Sequence, residues 1–265
     1  MQVSVERRAL TKARYPSLID GLDDVGLRRI EMDMNLSCEV PRLDGAGSVR
    51  VSIGSEGAAR AYRQHLYEHA IGLSAIRLIS ETGGALGAEA ADEIEVALYA
   101  ADTAGAPVLC IEVEADPEAW PQGLAVGLER LVERAVGLRV IPAVALRPCT
   151  PAAIEAALGE DEGDPSELGL SVDVEGIVAG SASADGAYDL VRRIASHVRH
   201  VTCRGAGGDV PGLSADLARV AAILGRSGYA RALTVGLPEG KPEEGLQGAL
   251  RAGVRYVTDV VGAGP

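Results

Sequence analysis

The chain has 265 residues, of which 47% are hydrophobic and 24% charged, and it carries a formal net charge of −13. That charge disfavours a nucleic-acid backbone or an anionic membrane surface as partner, since both want a basic face. No apolar run reaches the roughly 18 residues of a membrane helix. Cysteines 38, 110, 149 and 203 form no CxxC pair, and residues 1–8 lack the apolar core of a signal peptide. The expectation is one domain over residues 1–265, in a reduced cytoplasm.

Short runs rich in Val, Ile and Leu alternate along the chain with longer runs at helical spacing. The first expected strand is 2–6. The second, 27–34, sets Ile30, Met32 and Met34 on one parity and Glu31, Asp33 and Asn35 on the other. Residues 37–56 are polar and irregular and read as a long loop or a capping excursion. Strand 73–80 follows, then a helix over 91–105 on Ile94, Leu98 and Ala101. Strand 107–114 leads to Asp116-Pro117-Glu118, which has the form of a helix start. The next helix, 123–137, is carried by Leu124, Leu128, Leu131 and Ala135. Strand 138–146 precedes a second helix start at Thr150-Pro151. Strands 168–174 and 200–204, a helix over 213–225, and strand 232–237 complete the series. Gly72, Gly105 and Gly137 stand where a helix ends before the next strand.

Eight such alternations in about 250 residues predict an α/β protein, a (β/α)8 TIM barrel. A doubly wound sheet needs a glycine-rich first turn. Ala9-Leu10-Thr11-Lys12 is not one.

Successive strand residues face opposite sides, so one parity of each strand fills the barrel lumen. With the apolar sets against helices, Glu6, Glu31, Asp33, Arg77, Glu112, Glu114, Arg147, Asp173, Glu175 and Arg204 point inward, along with Cys110. A structural barrel fills that space with branched apolar residues, and unpaired buried charge is costly. The crowd is either a site at the C-terminal mouth or an internal ion-pair network. His65 and His69, four apart, have a zinc-compatible spacing, or are exposed helix histidines. His197 and His200 fall at the bottom of the barrel, away from chemistry. The glycine-rich run 205–209 reads as a phosphate loop or a turn.

Several segments resemble the xylose isomerase-like superfamily, the (β/α)8 sugar isomerases and epimerases. Val25-Gly26-Leu27-Arg28-Arg29-Ile30-Glu31 is similar to its second-strand motif, and Ala104-Gly105-Ala106-Pro107-Val108 to its entry into strand four. Leu168-Gly169-Leu170-Ser171-Val172-Asp173 is similar to strand six. Val198-Arg199-His200-Val201-Thr202-Cys203-Arg204 is similar to strand seven, and Gly228-Tyr229-Ala230-Arg231-Ala232-Leu233-Thr234-Val235 to strand eight. The resemblance covers most of the chain.

The resemblance implies a divalent metal held by Glu, Asp, His and Glu at strand ends. Those positions read Ala145, Asp173, Thr202 and Gly236, and the histidine three residues after the Asp reads Gly176. Neither Ala nor Gly can ligate through a side chain, and a hard cation needs several oxygens. The expectation is therefore no metal and no cofactor, although a displaced site on Glu112, Glu114, Asp173 and Glu175 stays open. In its place Asp173, Glu175, Glu112 and Glu114 are expected to act as acid and base. Arg147, Arg204, Arg77 and Asp33 are expected to hold a small polyhydroxylated or carboxylated substrate. The activity implied is isomerase or epimerase. The alternative is a barrel that binds a ligand or partner without catalysis. A homodimer stays open.

Overall fold

The computed structural model describes residues 1–45, 49–81, 86, 93–116, 122–158, 168–204, 213–237 and 245–262. In chain order these form β1 (Gln2–Glu6), α1 (Arg7–Lys12), α2 (Leu18–Val25), β2 (Arg29–Asn35), β3 (Glu39–Pro41), β4 (Arg50–Ser52) and α3 (Glu56–Glu68). There follow β5 (Gly72–Ile79), α4 (Glu93–Ala104), β6 (Val108–Glu114), α5 (Gln122–Ala135), β7 (Ile141–Arg147), α6 (Pro151–Leu158) and β8 (Gly169–Asp173). The last are α7 (Val174–Gly180), α8 (Ala184–Ile194), β9 (Val198–Arg204), α9 (Leu213–Arg226), β10 (Ala232–Gly236) and α10 (Leu246–Gly262).

Eight parallel strands close into a barrel in the order β1-β10-β9-β8-β7-β6-β5-β2. They are the eight strands expected from the sequence, and the fold is the (β/α)8 barrel. Ladder lengths differ: β2 and β5 share seven register pairs, whereas β1 and β2 share two, Val5 with Ile30 and Glu6 with Glu31.

The expected parity holds. Ile30, Met32, Met34, Leu109, Ile111 and Val113 belong to the main apolar core with the helices. Ala75, Val108, Cys110, Ala143 and Ala145 form a separate small cluster inside the barrel. The inner residues are small, and that leaves room for long charged side chains above them.

Helix starts follow from side-chain caps. Ser17 accepts from Asp20 N at 3.0 Å, Ser183 from Gly186 N at 3.1 Å, and Thr150 from Ala153 N at 3.2 Å, the last confirming Thr150-Pro151 as a boundary. Gly105 and Gly137 take left-handed φ of 86° and 88°. Gly72 does not end a helix: it opens β5, and Ala70 takes the left-handed turn instead, with φ 53°. Pro117 and Glu118 lie outside the described residues.

The described residues of 37–56 are more ordered than their composition suggests. β3 and β4 pair antiparallel as a small sheet at the C-terminal end of β2. Arg50 ties it down, donating to Glu39 O at 2.6 Å and Asp33 O at 3.3 Å. Asn35 donates to Glu81 Oε2 at 2.8 Å. Three-residue strands are too short to show a period. Among the described residues no helix is long and apolar enough to cross a membrane.

Candidate functional site

A cleft of about 480 Å³ opens at the C-terminal end of the barrel, lined in part by Arg8, Arg77, Glu112, Ala145, Arg147, Ser171, Asp173, Glu175, Thr202 and Arg204. The register explains it. Glu112 pairs with Ala145, and Ala145 with Ser171, so a methyl group stands between two polar neighbours and leaves the wall open.

Three ion-pair groups build the site. In the first, Arg204 at the end of β9 bridges two carboxylates: Nη1 donates to Asp173 Oδ2 and Nη2 to Glu6 Oε1, both at 2.9 Å. Burial raises the pKa of Glu6 and of Asp173 above the usual carboxylate range, against the pull of Arg204. Asp173 also caps α7, accepting from Glu175 N at 3.1 Å.

In the second group, Arg147 donates to Glu112 Oε1 at 2.6 Å, while Arg77 Nη1 and Arg8 Nη1 approach Glu112 Oε2 at 3.8 and 3.7 Å. Arg7 bonds Asp33 through two nitrogens, with Nε at 3.0 Å from Oδ1.

The third group lies below the cleft. Arg77 donates to Glu31 Oε1, and His200 Nε2 stands 3.1 Å from Glu31 Oε2. His200 Nδ1 is 3.1 Å from Ser171 Oγ, and Nε2 is 2.9 Å from Thr234 Oγ1. Burial disfavours charge on His200, but Cys110 and Glu31 outweigh it and raise its pKa to about 10. Burial likewise works against charge on Glu31, but Arg77 and His200 hold it well below the usual range. Imidazolium at neutral pH cannot act as a base toward Ser171; it is a fixed cation that donates from both ring nitrogens.

The expected residues divide. Asp173, Glu112, Arg147, Arg204 and Arg77 meet at the cleft. Glu175 also lines it, but from the first turn of α7: β8 stops at Asp173 and a helix starts at once. Glu114 is exposed at the rim and outside the lining, opposite Arg147 in the ladder. Asp33 is buried beneath Arg7 and does not face the cleft. His200 is not at the barrel floor away from the charges; it is 1% exposed, inside the lumen among them. Sequence reasoning missed Arg7 and Arg8, whose signal is two arginines directly after the first strand's glutamate. His65 and His69 sit on and just past α3, rings 4.9 Å apart, with His69 exposed. Residues 205–209 lie outside the described residues.

The divalent metal that the family resemblance implies does not fit this donor set. A Cβ on Gly176 would stand 2.3 Å from the Cys149 carbonyl oxygen, so no side chain fits there. A Cβ on Gly236 would stand 2.5 Å from Glu6 Oε2 and 2.9 Å from Arg204 Cγ. Asp173, the remaining ligand position, is paired with a guanidinium. Among the described residues no three His, Cys, Asp or Glu side chains gather to hold a metal; Glu112, Asp173 and Glu175 line one cleft without forming such a group, and Glu114 lies outside it.

No protein-family model and no curated protein matches the sequence. Solved structures do match in fold. One is a D-psicose 3-epimerase determined in the presence of D-fructose, 12% identical over 99% of this chain and 100% of that one, TM-score 0.67. A second is a sugar phosphate isomerase/epimerase from Parabacteroides distasonis, 10% identical over 97% and 95%, TM-score 0.67. A third is an L-ribulose 3-epimerase, 14% identical over 99% and 95%, TM-score 0.64. At these identities the likeness is one of fold.

Proposed function

We propose that this chain is an isomerase or epimerase of small polyhydroxylated or carboxylated substrates that works by carboxylate acid–base chemistry without a metal. The observation that carries the reading is the cleft itself: acids Asp173, Glu112 and Glu175 and the guanidiniums of Arg204 and Arg147 converge where barrel enzymes place their chemistry. Structural neighbours whose names are those of sugar isomerases and epimerases support the same class.

In this reading a carboxylate removes the proton on carbon next to the substrate carbonyl. The C–H electron pair moves into a carbon–carbon double bond and the carbonyl oxygen becomes an oxyanion. Arg204 and Arg147 stabilise that oxygen. A proton delivered by a second carboxyl group on the opposite face gives the epimer; a proton delivered to the former carbonyl carbon, with the neighbouring hydroxyl proton passing to the oxyanion, gives the isomer. Burial raises the pKa of Asp173, which makes it a stronger proton acceptor than an exposed aspartate.

The test is deuterium wash-in. Chelated protein is incubated in D2O with ketoses, aldoses, sugar phosphates, keto acids and cyclitols, and substrate carbon-bound deuterium is read by NMR. Wash-in that disappears in Asp173→Asn supports the reading. A compound that raises the melting temperature but takes up no deuterium favours a binding protein on the same barrel.

A further inference from the structure

Among the described residues of the cleft wall, one cation is left short of partners. Arg8 is the second residue of α1, directly beyond the end of β1, and its side chain is 29% exposed on the cleft. It approaches Asp33 at 3.9 Å and Glu112 at 3.7 Å, distances that allow ion pairing but no hydrogen bond. Both acids are already engaged: Asp33 accepts two bonds from Arg7, and Glu112 accepts from Arg147. Nη2 of Arg8 is buried and has no hydrogen-bond partner.

A buried N–H without an acceptor is costly, so a guanidinium kept in that condition beside a cleft needs a reason. Arg50 and Arg231 also have an unpartnered nitrogen, but neither lines the cleft. Arg77 and Arg204 are spoken for by Glu31, Glu6 and Asp173. Burial lowers the pKa of Arg8, with Arg77 adding to the effect despite the nearby carboxylates, so its charge is only partly compensated.

We propose that Arg8 is the anion-recognition residue of this cleft and that the substrate carries a carboxylate or phosphate group. This rests on the cleft being a substrate site, and it narrows the substrate class. The planar fork of Arg8 offers parallel N–H donors to two oxygens of one anion, and at 3.7 and 3.9 Å from the nearest carboxylates it has no short hydrogen bond to give up. The reacting carbons then lie deeper, toward Asp173 and Arg204.

The experiment is titration calorimetry on the whole chain with two probes, inorganic phosphate and malonate. Binding of one or both to the wild type is expected, and the preferred probe identifies the oxyanion. Arg8→Met weakens that binding at least tenfold, on the order of one charge-assisted contact. Arg8→Lys, which keeps the charge but not the fork, weakens it by a smaller factor, and Arg231→Met leaves it unchanged. If Arg8→Met does not fold, Arg8→Lys decides, since retention of full wild-type affinity there overturns the fork. Equal affinity in wild type and Arg8→Met, or no anion binding by the wild type, overturns the proposal. The two readings fail separately. Arg8-dependent anion binding with no deuterium wash-in leaves this inference standing and removes the isomerase reading. Wash-in on a neutral sugar, unaffected by Arg8→Met, does the reverse.

Discussion

Gly236 and Glu6 face each other on adjacent strands so closely that a Cβ on Gly236 would stand 2.5 Å from Glu6 Oε2. The absence of a side chain at 236 is what allows Glu6 to reach Arg204. Gly236→Ala pushes the Glu6 carboxylate off the guanidinium, and overpacking of this kind typically costs about 1–3 kcal/mol. Glu6→Ala in the same chain relieves the clash, so the double variant is more stable than the sum of the single effects. A urea double-mutant cycle measures this; strict additivity contradicts it.

Arg77→Met removes the partner of Glu31 in a part of the lumen where both side chains are under 10% exposed. Loss of about 3–5 kcal/mol is expected. Adding Glu31→Gln does not recover it, because the buried His200 cation then loses its carboxylate partner. Chemical unfolding followed by circular dichroism reads both. A loss below about 1 kcal/mol places the pair outside the fold's support.

The imidazolium of His200 gives the stability curve an alkaline arm. Its folded pKa is raised to about 10 from an ordinary value of 6.5. The folded state therefore holds a proton the unfolded state has released between those values. The contribution is fully present below about 6.5 and is lost as pH rises through about 10. Unfolding free energy should fall between pH ~7 and ~10, with a shallower fall in His200→Gln. Equal slopes in the two proteins assign the decline to other groups.

Metal addition and removal should leave the protein unchanged. With Gly176 closed off by the Cys149 carbonyl and Asp173 paired with Arg204, EDTA is expected to alter neither melting temperature nor deuterium wash-in. Manganese, cobalt and magnesium should not raise the melting temperature. A chelator-sensitive activity restored by one of these ions contradicts the expectation.

The strands and their parity were legible because Ile30-Glu31-Met32-Asp33-Met34 and Leu109-Cys110-Ile111-Glu112-Val113 alternate without interruption, and burying the apolar set fixes the other. Glu175 was misplaced for the same reason: Val174, Gly176 and Val178 prolong the look of a strand, while the chain turns into a helix at once. His200 was set at a strand's start. The strand begins at Val198, and a register shift between Leu170 and Ser171 brings His200 opposite Ser171. Arg7 and Arg8 escaped because strand parity says nothing about a helix that folds back over the rim. Glu114 has the right parity, but it lies one step too far along its strand to remain covered.

The two-pair ladder between β1 and β2 makes that junction the shortest seam of the closed sheet. Arg7, just beyond β1, clasps Asp33 on β2 across it. Backbone amides there depend on few neighbours, so the barrel breathes from this line first when it exchanges protons with solvent. Because the clasp is largely covered, with side chains 12% and 4% exposed, salt screens it weakly and removing Arg7 is what opens the seam. Exchange at Val5 and Ile30 then quickens in Arg7→Met, while the long β2–β5 ladder keeps its pace.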